Sequence, residues 1–352
     1  MDAARRPPVP PRRVLVLRAL KLGDLLCAVP AFRALRAAWP GAEIVLAGLP
    51  WAREFVGRFG AYLDGFREFP GYPGLPECAP RIGAIPAFLA AIQDDRFDLA
   101  IQLHGSGPIV NEVVALFGAR RSAGFHLPGS YRPDSGLFMP WPSRGLEVRR
   151  LLALVEHLGL PTRGEHLEFP VAPSDRAALH SIEGIGPLKE HPYVCVHPGA
   201  SVPGRQWPAD RFAAVARALA DRGFRVVVTG TAAEAGLAGA IRREVPGALD
   251  LTGRTDLGSL GALLEGARLL ACNDTGVSHV AAGLKLPSVV LSTGDNPSRW
   301  APADRERHRV LCRDEGIEPA EVIDAASALL RAFPGPAVGR GEVVAPCTAC
   351  AS

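Results

Sequence analysis

The sequence predicts an α/β protein built from two Rossmann-like βαβ domains facing a central cleft. Three observations carry this. Short apolar runs alternate with helical spacing from Val14 onward, an order that gives parallel sheets with helices on both faces. The alternation lapses over the Pro- and charge-rich stretch from Pro161 to Pro192 and restarts at Tyr193. Each half also places a polar, glycine-containing loop after its first strand, where open α/β sheets bind ligands. A length of 352 residues suits two domains, and 48% hydrophobic with 21% charged residues supplies apolar matter for two cores.

The expected organisation is an arm at 1–13, a first domain at 14–175, a second at 190–333 and a loose tail at 334–352. The arm is rich in Pro and Arg and reads as disordered; its Arg5, Arg6, Arg12 and Arg13 could also touch anionic lipid. Val14 to Arg18 is the first buried strand, and Leu20 to Asp24 the turn after it. Helical spacing then runs to Trp39, where Pro40-Gly41 stops it. Glu43 to Ala47 reads as a strand, Trp51 to Phe59 and Ile85 to Gln93 as helices, and Leu99 to Leu103 as a strand. His104-Gly105-Ser106-Gly107 follows that strand but lacks the third glycine of a dinucleotide fingerprint. His104 is either a substrate contact or an exposed turn residue. Val113 to Phe117 is helical, Arg120 to Phe125 a short strand, Pro128 to Pro142 a long loop and Leu146 to Leu158 an amphipathic helix.

In the second half, Tyr193 to Val196 is a strand that ends in a polar loop. The loop runs through Gly199, Ala200, Ser201 and Arg205 into a helix at Asp210 to Arg222. Arg225 to Thr229 is a strand, Ala232 to Arg243 and Leu257 to Gly266 are helices, and Leu269 to Cys272 is a strand. Asn273-Asp274-Thr275-Gly276 then opens a short helix that carries His279 and stops at Pro287, and Val289 to Leu291 is the next strand. A carboxylate, a hydroxyl, a glycine and an imidazole thus meet where a parallel strand ends and a helix begins. Free N–H groups and about half a positive charge there bind phosphate readily. Asp274 or Thr275 could instead simply cap the helix. Asp24 has the same two readings: an N-cap, or a carboxylate lifted into the cleft by the Gly23 turn. At a helix N-terminus its pKa is expected to be depressed.

Net charge of +3 gives no reason to expect a nucleic-acid partner. Cys27 and Cys195 sit in apolar segments, as buried reduced thiols of a cytosolic protein do. The tail pair Cys347 and Cys350 lacks the further ligands that zinc needs, and the nine His have no metal-ligand spacing, so no metal is expected. No apolar stretch reaches the roughly 20 residues that span a bilayer. Across the expected cleft, Asp24 faces helix N-termini, Ser201, Arg205 and the Asp274-Thr275-Gly276 turn. That arrangement suits transfer from a phosphorylated donor on the second domain to an acceptor held by the first.

Three segments carry a family resemblance: LRALKLGDLLCAVPAFRALR at Leu17 to Arg36, HPGASVPGRQWPADRF at His197 to Phe212, and NDTGVSHVAAGLKLP at Asn273 to Pro287. In this order they resemble the motifs of glycosyltransferase family 9, which includes the ADP-heptose:lipopolysaccharide heptosyltransferases. The similarity extends over roughly Val14 to Leu330. It implies a GT-B fold and inverting transfer without a metal or other cofactor. The implied donor is a nucleotide-diphosphate sugar, ADP-heptose above all, and the acceptor a lipopolysaccharide-core sugar or another glycan. The implied location is cytoplasmic, with room for peripheral contact at the inner membrane face. The family's general base falls on Asp24, beside Gly23; His104, from its place at a strand end, is the further candidate for acceptor contact. Its donor contacts fall on Gly199, Ala200, Ser201, Asp274, Thr275, Gly276 and His279. Arg205 stands where the family usually has Lys; it keeps the charge and can fork onto phosphate but cannot give up a proton. The usual FGPTDP stretch is altered to Ser292-Thr293-Gly294-Asp295-Asn296-Pro297. A GT-B-like epimerase or phosphorylase, or an inactive sugar-nucleotide-binding protein, could use the same cleft.

Overall fold

The computed structural model describes residues 9–200, 202–294, 296–312 and 316–334. The first half runs β1 (Arg13–Leu17), α1 (Leu22–Ala38), β2 (Glu43–Gly48), α2 (Ala52–Arg58), β3 (Gly65–Glu68), α3 (Ile85–Asp94), β4 (Leu99–Gln102), α4 (Val110–Leu116), β5 (Arg121–His126), β6 (Phe138–Pro140) and α5 (Glu147–His157). After α6 (Pro173–His180), the second half runs β7 (Tyr193–His197), α7 (Ala209–Ala220), β8 (Arg225–Val228), α8 (Ala235–Glu244), β9 (Leu249–Asp250), α9 (Leu257–Gly266), β10 (Leu270–Asn273), α10 (Gly276–Gly283), β11 (Ser288–Leu291), α11 (Pro297–Trp300), β12 (His308–Leu311) and α12 (Pro319–Ala332).

Among the described residues the strands form two six-stranded sheets, ordered β3-β2-β1-β4-β5-β6 and β12-β11-β10-β7-β8-β9. Each observed pairing is parallel. With β7 counted as a first strand, the two orders are the same doubly wound pattern. β3, β6, β9 and β12 are the four sheet edges; none is expected as a strand, and β6 falls inside the stretch expected as the Pro128 to Pro142 loop. An edge strand lacks burial on both faces and so needs no continuous apolar run. β3 is half-buried throughout, whereas β10 is buried at every position.

The connector from Pro161 to Pro192 is more structured than its composition suggests. It carries α6, which packs on α9, and Arg58 of α2 reaches Asp175 of α6 in an ion pair of 2.5 Å. Nor are the cores two separate bodies. One buried cluster runs from Val16 and Leu26 through Val277 and Val280 to Leu263 and Val290, because α1 of the first half packs directly on α10 of the second. No described helix is long and apolar enough to cross a membrane.

Candidate active site

Strand order reverses between β1 and β4 in one sheet and between β7 and β10 in the other. Loops after adjacent strands part at such points and leave a crevice at the strand C-terminal ends. The two crevices face each other across a cleft of about 660 Å3 lined from both halves. Gly23, Asp24, Arg205, Asp274, Thr275, Gly276 and His279 all line it.

Asp24 enters from the first turn of α1, whose N-cap is Lys21, so Asp24 is not itself the cap. Its side chain is 23% exposed and its Oδ1 lies 3.9 Å from Nη2 of Arg18. The expected depression of its pKa is overturned. Burial is the largest influence and raises the pKa above its ordinary value; Arg18 pulls it down, and Glu147 pushes it further up. Desolvation disfavours the charged carboxylate, and here it outweighs the pull of Arg18, Arg299 and the backbone bond at Lys21.

The facing wall is built around Asn273, fully buried at the end of β10. Its Nδ2 donates to the carbonyls of Pro198 at 2.8 Å and Gly199 at 3.2 Å, and its Oδ1 accepts from the Trp207 amide at 2.9 Å. One side chain thereby ties both ends of the loop that follows β7 to the start of α10. Gly199 and Ala200 lie in that loop and are not among the residues that line the cleft. A Cβ on Gly199 would stand 1.9 Å from Oε1 of Glu234, so any larger residue here must displace the Glu234 carboxylate. Ser201 lies outside the described residues. Arg205 reaches the cleft from the far end of the loop. Its carbonyl accepts from Thr293 Oγ1 at 2.7 Å, and Gly294 is beside its Cγ. Thr293 and Gly294 of the altered stretch therefore support the Arg205 loop.

Thr275 does cap α10, accepting from the Val277 amide at 3.4 Å, and still lines the cleft. His279, 4% exposed, lies one turn on, with Nδ1 3.7 Å from the Cys27 thiol. Burial lowers its pKa to about 4, so the imidazole is neutral near pH 7.

A sequence model of glycosyltransferase family 9 (heptosyltransferase) matches residues 89–325. The chain belongs to this family. Lipopolysaccharide heptosyltransferase 2 of Escherichia coli K12 is 26% identical over 330 residues, covering 89% of this chain and 92% of that protein. A glycosyl transferase family 9 structure from Veillonella parvula superposes with a TM-score of 0.72 at 21% identity, covering 92% and 98% of the two chains. An E. coli heptosyltransferase solved with ADP-2-deoxy-2-fluoro heptose gives 0.65 at 18% identity, covering 91% and 99%. The protein is thus a glycosyltransferase with the GT-B fold, two Rossmann-like domains about one cleft.

In this glycosyltransferase, His104 is not among the cleft residues. It is 8% exposed; Nδ1 accepts from the Ala19 amide at 3.1 Å, and Nε2 lies 3.1 Å from Glu77 Oε1 without the alignment of a hydrogen bond. Its own loop is held from within: Gln102 Oε1 accepts from the amides of His104 at 2.8 Å and Gly105 at 3.0 Å. His104 thus braces the segment leading into α1.

Four charged residues at the site, Lys21, Glu147, Arg150 and Arg299, carry no expectation from the sequence. Lys21, Arg150 and Arg299 line the cleft, so with Arg205 it presents four cations to Asp24 and Asp274. Behind it, Glu147 is 2% exposed and pairs with both Arg18 and Arg299. Arg18, at the end of an apolar strand, was the available signal: a charge buried there needs a partner. Among the described residues, no group of three or more His, Cys, Asp or Glu is placed to hold a metal ion.

Proposed function

We propose that this glycosyltransferase moves a heptose from ADP-heptose onto a hydroxyl of a lipopolysaccharide-core or other glycan acceptor, with inversion and without a metal. The observation that carries the reading is the opposition of Asp24 to Arg205 and the α10 N-terminus across one cleft. Single displacement needs a base on one face of the sugar and charge stabilisation on the other. The acceptor oxygen bonds to the sugar C1, the C1–O bond to diphosphate breaks, and the acceptor proton passes to Asp24. A base with a raised pKa retains the proton better, and general-base assistance contributes about 10² to 10⁴ in rate. Arg205 and the amides opening α10 take up the charge that develops on the departing diphosphate, an effect of about 3 kcal/mol per well-placed donor. Asp274, Thr275, Gly276 and His279 form the donor-side surface, with Gly199 and Ala200 in the loop that Asn273 ties to it; Ser201 is assigned to the donor by the motif alone. Gly23 shapes the acceptor entrance. Lys21 and Arg150, on the first-domain wall, suit an anionic acceptor presented at the inner membrane face.

The donor nucleotide is tested by thermal shift with ADP, UDP, GDP and dTDP. Saturation at about 100 times Kd adds roughly 2.7 kcal/mol of stability. ADP gives the largest shift, and Arg205→Ala shrinks it. A larger shift with another nucleotide rejects ADP-heptose. Full activity in excess EDTA is expected; strict dependence on added Mg²⁺ or Mn²⁺ rejects the metal-free mechanism.

A further inference from the structure

Arg18 offers one guanidinium to two carboxylates. Nη2 is 3.3 Å from Glu147 Oε1 and 3.9 Å from Asp24 Oδ1. Nε donates to the Asp24 carbonyl at 2.8 Å and Nη1 to the Leu103 carbonyl, so the group is pinned and cannot turn to water. Glu147 Oε2 accepts from Arg299 Nε, on the second domain, at 2.8 Å. The transfer chemistry leaves Glu147 unused: it stands behind the cleft, sealed from solvent between two arginines.

We propose that Glu147 is a positioning residue that occupies Arg18, so that Arg18 orients Asp24 without capturing its carboxylate in a full ion pair. This rests on the reading of Asp24 as the general base. A carboxylate closed onto arginine in a buried site is held as the anion and becomes a poor proton acceptor. The charged groups around Asp24 are Arg18 at the end of β1, Lys21 before α1, Glu147 and Arg150 on α5, Arg299 on α11, and Arg205 and Asp274 across the cleft; His279 on α10 is neutral near pH 7. Glu147 and burial raise the Asp24 pKa, while Arg18 and Arg299 lower it. With Glu147 neutralised, Nη2 of the pinned Arg18 loses its competing anion, and the partly exposed Asp24 carboxylate is left to close on it.

The test is NMR of isotope-labelled aspartate carboxyls across pH in the full chain, with the Asp24 signal assigned by its loss in Asp24→Asn. In Glu147→Gln the Asp24 midpoint falls, the acid limb of kcat/KM moves the same way, and kcat drops about tenfold, part of the usual general-base contribution. In Arg299→Gln the midpoint rises. Should Glu147→Gln not fold, Glu147→Asp, whose shorter arm loosens its hold on Arg18, lowers the midpoint by less. An unchanged or raised midpoint in the Glu147 variant that folds overturns the proposal. Retained turnover in Asp24→Asn would defeat the general-base reading instead, and the NMR midpoint would still decide the role of Glu147.

Discussion

A Cβ placed on Gly23 would lie 2.8 Å from Cδ2 of His279, across the meeting point of the two domains. On the other side, a Cβ on Gly276 would come within 3.4 Å of the Gly23 nitrogen. The N-terminal turns of α1 and α10 therefore touch through glycine, and the width of the cleft is set where they touch. Gly23→Ala must displace the His279 ring or part the helices. A misplacement of about 1 Å can cost 10²-fold, so kcat/KM is expected to fall by about 10- to 100-fold with the fold retained by circular dichroism. Undiminished kcat/KM would show that this contact does not set the geometry.

Asp24 supplies a pH signature. As a base it works ionised, so activity is lost as pH falls through its pKa. Because burial raises that pKa above the ordinary 3.8, the acid limb of kcat/KM should lie above the range of an exposed aspartate. Asp24→Asn should abolish most turnover while leaving ADP affinity intact. A limb at or below the ordinary value would contradict the burial argument.

Asn273 is expected to matter first for stability. Asn273→Leu leaves the Trp207 amide and the Pro198 and Gly199 carbonyls unpaired in the interior. Each such buried group costs about 1 to 3 kcal/mol, so a loss of about 3 kcal/mol or more in urea unfolding is expected. A loss under about 1 kcal/mol would mean that water replaces the bonds.

Acid should destabilise the fold through buried histidines before the carboxylates matter; burial lowers His197 as well as the two that follow. Burial lowers both His279 and His308 to about 4 from the ordinary 6.5. Between those values the unfolded chain binds protons that the folded chain refuses. The stabilisation is complete above pH 6.5 and declines as pH falls toward 4, by roughly 3 kcal/mol for each group. His308→Asn, which can keep a bond to Ser288, should flatten the decline measured by denaturant unfolding between pH 7 and 4.5. An identical slope in the variant would place the His308 titration elsewhere.

The sequence by itself determined the doubly wound α/β class, the inner strands and the motif residues that line the cleft. The reason is local: inner parallel strands are buried on both faces and read as unbroken apolar runs, and a strand-to-helix turn needs its special residues in consecutive positions. Asp24, Arg205 and Thr275 were legible in this way. Tertiary structure decided what depends on partners distant in the chain. The four edge strands form because a neighbour offers hydrogen bonds, not because their own composition demands it. His104 points to the Ala19 amide and Glu77, away from the cleft. The direction of the Asp24 pKa shift depends on burial beneath a second domain and on Glu147, more than 100 positions away. Arg299 meets Glu147 across 152 positions, a separation no local pattern encodes. Periodicity reports which face of an element is buried; only the packed chain sets which charges share that burial.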